Sequence, residues 1–370
     1  MKKVLFLIYQ LVGGGAEKVM VDIVNHMDKT QYDITVMTVI DCTKDKHLLH
    51  DEIKYRYIFK DFLKCDRLFF KLMKSATPQF LHSLFIKEKY DIEISALEGI
   101  PSKIISGNNS METKKISIIH ADSENIAWPS GRYKNFKQEE DSYNSFDKLI
   151  FVSKNTKKNF VNKFNIDENK TVVIHNPFDI NHIIKKSQEE VTDYKQEEGF
   201  LFISVGRLEK VKGFNRLIEA FNEVYKTYPK IKLLIIGEGS EKDNLSKQIR
   251  EFKLENNIEL LGYRENPYKY INLCDSYICS SLSEGLSSSV IEAMIINKPI
   301  VTTDCGGMDE ILLDNKCGLI ASNNINGIIY GMKEILKNDN SLLMKMKIEQ
   351  KRRIKEFSFE KYFSELEKYI

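Results

Sequence analysis

Proline and glycine are scarce in this chain, at 7 and 18 of 370 residues. With 42% hydrophobic and 29% charged residues, that scarcity excludes collagen-like, low-complexity and wholly disordered classes. An excess of one charge is missing too. Lys+Arg number 55 against 53 Asp+Glu, a net +2 that argues against a dedicated nucleic-acid binder. No Cys-x-x-Cys pair occurs: the six cysteines, at 42, 65, 274, 279, 305 and 317, are scattered. That pattern suits free thiols in a reducing compartment better than a disulfide framework or a zinc site. No run approaches the roughly 20 apolar residues of a membrane-spanning helix. After Lys2 and Lys3, VLFLIYQLV is short and enters GGGAE without an A-x-A cleavage site, so it reads as a first strand rather than a signal peptide. The expected location is cytoplasmic.

What the chain does have is a rhythm. Short apolar, β-branched runs are expected as strands at Lys3–Tyr9, Tyr32–Ile40, Asp91–Ala96, Lys115–His120, Lys148–Ser153 and Thr171–His175. The second half repeats the series at Phe200–Val205, Lys232–Ile236, Ile258–Leu261, Ser276–Cys279 and Pro299–Thr303. Continuous hydrophobicity is what a parallel strand buried on both faces requires. Amphipathic helical stretches lie between, as in Gly213–Tyr225, where Phe214, Leu217, Ile218 and Phe221 share one face. Such alternation predicts an α/β protein with two doubly wound parallel sheets. The expected domains are 1–180 and 199–355, joined at 181–198 by a polar stretch that reads as a linker or an exposed helix. A last helix, 356–370, is expected to pack back on the first domain. Ligands of open sheets bind at strand C-termini, so a cleft between the halves is the expected site.

Two glycine turns follow strands. Gly13-Gly14-Gly15 opens a helix, where free backbone N–H groups suit an anion. A turn with no ligand is the other reading. Neither this loop nor Gly237-Glu238-Gly239 completes a dinucleotide fingerprint, because Lys18 and Lys242 stand where the third glycine belongs. Beyond Phe200–Val205 come Arg207, at the strand end, and Lys212, just before a helix. Two cations so placed can neutralise a diphosphate, the arginine as a planar fork and the lysine as a movable charge; a solvated basic loop is the alternative. Beyond Ser276–Cys279 come Glu284 and, eight residues on, Glu292. Serines 287–289 can start a helix between them, leaving the N–H groups of Gly285, Leu286, Ser287 and Ser288 available to phosphate. Carboxylates so placed can accept hydrogen bonds from sugar hydroxyls.

These residues carry a resemblance. VGRLEKVKG at 205–213, Glu284…Glu292-Ala-Met and DCGGMDEI at 304–311 occur in the order found in retaining glycosyltransferases of the GT-B fold, family GT4. GGGAE and His175-Asn-Pro also match. The resemblance implies that Arg207 and Lys212 bind a donor diphosphate, Glu284 the donor sugar and Glu292 the ribose. Tyr263 and Arg264 fall where the family lines the base pocket. His120, in IIHADSE, matches a histidine facing the donor sugar; a satisfied strand-end histidine is its alternative. The residue after the Glu-Gly pair, commonly aromatic in the family, is Leu286.

The implied activity is transfer of a hexose-type sugar, with retention, from a nucleotide-diphosphate sugar such as a UDP-sugar to a glycan or lipid-linked acceptor of a surface polysaccharide. No Asp-x-Asp stands at a strand end, so neither metal nor cofactor is expected. The stretch 54–74 holds seven Lys/Arg among aromatic and aliphatic residues. It can lie on an anionic membrane or form an ordinary helix of the first domain. A nucleotide-sugar epimerase and a non-catalytic nucleotide-sugar binder are the rival readings.

Overall fold

The computed structural model describes residues 1–370 except 13–14, 42–45, 61–70, 72, 122–129, 196–197 and 338. The chain divides into two units, Met1–Phe178 with Phe357–Ile370, and Asp179–Glu356.

In the first unit the strands are β1 (Lys2–Ile8), β2 (Tyr32–Ile40), β3 (Lys54–Phe59), β4 (Ile92–Ser95), β5 (Lys114–Ile119), β6 (Lys148–Phe151) and β7 (Thr171–Val173). They form a parallel sheet in the order β3-β2-β1-β4-β5-β6-β7. Val4–Ile8 are all solvent-free, as an apolar run covered on both faces should be. The C-terminal segment belongs to this body. The Phe178 N–H donates to the Phe357 carbonyl at 2.8 Å, and Phe359 stacks on His26 with ring centroids 3.7 Å apart.

The second unit contains β8 (Phe200–Val205), β9 (Ile231–Ile236), β10 (Ile258–Gly262), β11 (Ser276–Cys279), β12 (Ile300–Thr303) and β13 (Leu319–Ala321). Its sheet is also parallel, ordered β10-β9-β8-β11-β12-β13. The Phe214–Tyr225 helix buries Phe214, Leu217, Ile218, Phe221 and Val224 against it. Each sheet reverses direction once, between β1 and β4 and between β8 and β11. Chains leaving two such strands diverge to opposite faces, and the gap they leave is where α/β sheets bind ligands.

Three elements differ from expectation. The described part of 181–198 is built into the second unit, so of the two readings the helix holds at its start and the free linker does not. It begins as a helix, Ile180–Ser187; Asn266 and Asn272 donate to the Lys186 and Ser187 carbonyls at 2.9 and 3.0 Å. Asp193 pairs with Arg264 at 3.0 Å. The first six residues of the basic stretch 54–74 form the edge strand β3, and 61–70 and 72 lie outside the described residues. Lys54 and Arg56 pair with Asp33 and Glu88 on that edge; charged side chains there discourage edge-to-edge pairing. The third is β13, whose three residues are too short to stand out in the sequence.

Candidate functional site

The loops that leave β8 and β11 carry the residues singled out above. Gly213 starts the Phe214–Tyr225 helix at φ 65, and a Cβ there would lie 2.3 Å from the Ser280 carbonyl oxygen. Only glycine lets this helix start press against the loop after β11. Two hydrogen bonds bind the loops: the Ser280 hydroxyl donates to the Lys212 carbonyl at 2.9 Å and the Leu282 N–H to the Val211 carbonyl at 2.7 Å. Arg216 adds a third, donating to the Ser280 carbonyl at 2.6 Å.

That clamp sets the central pair. Lys212 Nζ lies 2.6 Å from Glu284 Oε1, with side chains only 21% and 11% exposed. The Ser281 hydroxyl donates to the same carboxylate oxygen at 2.6 Å. Burial works to lower the lysine pKa, but the charge and hydrogen bond of Glu284 outweigh it and hold it above the ordinary value. Lys212 is therefore a fixed cation at neutral pH. Arg207 is exposed just past the end of β8, near enough for its charge to act on Lys212. Its guanidinium makes no hydrogen bond or ion pair among the described residues.

Farther along the second loop, Gly285 and Leu286 are half-buried and Ser287 is buried at the N-cap of the Ser288–Ile295 helix. The Ser287 hydroxyl makes no capping bond; it lies 3.4 Å from that of Ser289. The first N–H groups of a helix have no intrahelical acceptor, so this end suits an anion. Glu292, on the same helix, accepts from the Tyr268 hydroxyl at 3.2 Å. Tyr263, past the end of β10, is 62% exposed. Arg264 beside it is committed elsewhere: its Nε contacts Asp193 and donates to the Tyr270 hydroxyl at 3.1 Å.

In the first unit, Gly14 lies outside the described residues. Gly15 is exposed as the first residue of the Gly15–His26 helix, with open space where a Cβ would be. His120 follows β5, half-buried, with Nε2 shut off from solvent and unpaired among the described residues. Burial lowers its pKa to about 4, opposed by a hydrogen bond from the ring to the Ala96 backbone. The ring is neutral at physiological pH.

Sequence reasoning missed Ser281, Arg216 and Glu98. Ser281 and Arg216 act on the central loops through contacts that only the fold creates. Glu98 is buried and accepts from the His120 and Ala121 backbone N–H groups at 2.6 Å, a contact that no local feature of the sequence marks. Among the described residues, no group of three or more His, Cys, Asp or Glu is placed to hold a metal ion, and no helix is long and apolar enough to cross a membrane.

Two family models match the chain, Glycosyltransferase Family 4 over 13–182 and Glycosyl transferases group 1 over 185–354. The chain belongs to the group 1 glycosyltransferases. Among relatives, an N-acetylgalactosamine-N,N'-diacetylbacillosaminyl-diphospho-undecaprenol 4-alpha-N-acetylgalactosaminyltransferase of Campylobacter jejuni is 28% identical over 100% of both chains. A Methanocaldococcus jannaschii glycosyltransferase without an assigned reaction is 36% identical over 52% of this chain and 48% of its own. Anabaena HepE, solved with UDP and glucose, superposes with a TM-score of 0.75 at 20% identity, covering 100% of this chain and 99% of that one. The glycosyltransferase fold is thus GT-B, two parallel-sheet α/β domains.

Proposed function

We propose that this glycosyltransferase moves a hexose-type sugar, with retention and without a metal, from a UDP-sugar to a lipid-linked glycan of a surface polysaccharide. The observation that carries the reading is the Lys212–Glu284 pair beside exposed Arg207 at the point where the second sheet reverses. The name of the Campylobacter jejuni relative supports it, with an α-linked product and a diphospho-undecaprenol acceptor, as does the UDP in HepE.

In this reading Arg207, Lys212 and the N–H groups of Ser287 and Ser288 meet the diphosphate. As the bond from the anomeric carbon to the phosphate oxygen breaks, negative charge grows on that oxygen. Fixed cations stabilise it more in the transition state than in the ground state. Glu284 does two things: it holds Lys212 in place and offers its second oxygen to a donor-sugar hydroxyl. Glu292 takes a ribose hydroxyl, and Tyr263 flanks the base. The reading also keeps Gly15 and neutral His120 of the first unit as substrate-binding residues, as the resemblance implies. The acceptor hydroxyl attacks on the face the phosphate leaves, and its proton passes to the departing phosphate oxygen. Cations built into the protein do the work that a divalent metal does in other transferases.

The test is UDP release from UDP-glucose, UDP-galactose, UDP-N-acetylglucosamine and UDP-N-acetylgalactosamine in EDTA, with NMR of the product's anomeric proton. Release from one donor with an α-product is expected. Release that requires a divalent metal, or a β-product, would contradict it.

A further inference from the structure

β11 ends at Cys279, and the chain that carries Glu284 leaves the sheet through Ser280, Ser281 and Leu282. Carbonyls in a connecting loop are ordinarily satisfied by water or by nearby backbone. Here three in a row are taken by side chains of three different elements. The Ser280 carbonyl accepts from Arg216 Nη2, on the Phe214–Tyr225 helix, at 2.6 Å. The Ser281 carbonyl accepts from the hydroxyl of Thr303, the last residue of β12, at 2.6 Å. The Leu282 carbonyl accepts from Asn323 Nδ2, just past β13, at 3.0 Å. Arg216 and Asn323 also hold each other: Nη2 donates to the Asn323 side-chain oxygen at 2.9 Å and Nη1 to its backbone carbonyl at 3.2 Å.

Holding a long side chain such as arginine in one geometry costs rotamer freedom, and a loop that merely joined β11 to the next helix would need none of these contacts. What they fix is Glu284, just beyond Leu282. Its Oε1 sits 2.6 Å from both Lys212 Nζ and the Ser281 hydroxyl. We propose that Arg216 and Asn323 are positioning residues of the transferase, which hold the loop that brings the Glu284 carboxylate onto Lys212 and act through that pair rather than on substrate. This rests on the transferase reading above. Displacing a reacting or charge-stabilising group by about 1 Å can cost on the order of 100-fold in rate. It would also change the lysine itself. Burial and the Arg207 charge push the Lys212 pKa down, while Glu284 and Cys279 push it up; burial raises the pKa of the nearby Cys279 and Cys305 thiols. With Glu284 displaced, burial prevails and Lys212 loses its proton at lower pH.

Asn323 is exposed, so Asn323→Ala removes its side-chain contacts without opening the core; Arg216→Met removes the guanidinium and keeps an apolar stem. With the UDP-sugar that wild type turns over, kcat should fall about 10- to 100-fold while KM changes little. The alkaline limb of the pH–kcat profile should move to lower pH in both variants. Carbon-13 NMR of the lysine Cε positions, with Lys212→Arg to assign the signal, should show the Lys212 titration moving the same way. The melting temperature of Asn323→Ala should stay close to wild type. Wild-type kinetics and an unmoved titration in either variant would overturn the proposal. So would a lower kcat with the alkaline limb and the Lys212 titration unmoved, which is what simple loosening of the fold would give. A wild-type protein inert toward all four UDP-sugars would instead sink the transferase reading, and the lysine titration would still decide whether Arg216 and Asn323 hold the pair.

Discussion

His120 shows how one side chain ties stability to pH. Burial holds its pKa near 4 in the folded protein, against about 6.5 for an unperturbed histidine. Above pH 6.5 both states are neutral and the residue is silent. As pH falls from 6.5 toward 4, the unfolded chain takes up a proton that the folded one refuses, so stability drops through that window. Replacing His120 with Gln should flatten the pH dependence of urea unfolding of the first unit there by up to about one proton. An unchanged slope would mean the ring is not held neutral. Lys212 shows the opposite balance. Its partner's charge outweighs burial, and the cation persists where an isolated buried lysine would lose its proton.

At the scale of elements, the turns at the strand ends decide what the sheets can present. Gly237, between β9 and the next helix, has φ 148, and a Cβ there would lie 1.9 Å from the Gly206 carbonyl oxygen. Gly237→Ala should cost about 2–4 kcal/mol. Gly15→Ala, with open space at its Cβ, should change stability by less than about 0.5 kcal/mol. Chemical denaturation of the two variants checks the contrast; equal losses would contradict it. Elements were legible in the sequence where physics is local. Tyr32–Ile40, Phe200–Val205 and Ser276–Cys279 are continuous apolar runs, and each is a strand with those bounds. The edge strand β3 was hidden because an edge needs no continuous burial: KYRYIF is mostly exposed or half-exposed, and its lysine and arginine read as a basic surface. The same limit applies to the site. Arg207, Lys212 and Glu284 stood out because charged residues at strand ends are conspicuous. Arg264 looked similar, yet its guanidinium goes to Asp193, a partner 71 residues away that only the fold brings near. Glu98 was missed for the converse reason, since nothing local tells a clamping carboxylate from a solvated one.

At the scale of the molecule, the second unit sets two cations where its sheet reverses, exposed Arg207 and Lys212 paired with Glu284, on a chain whose net charge is only +2. In the proposed reading these two cations receive the diphosphate of a UDP-sugar without a metal. The most direct measurement is the melting temperature of wild type and Arg207→Ala with each UDP-sugar in EDTA. Arg207 is exposed and unpaired among the described residues, so its loss should leave the fold intact while lowering turnover at least about 100-fold. A donor that binds only the folded state raises the melting temperature by mass action. A rise is expected with one UDP-sugar, and the Arg207→Ala protein should lose it. No rise with any donor in wild type, or an equal rise in both proteins, would contradict it.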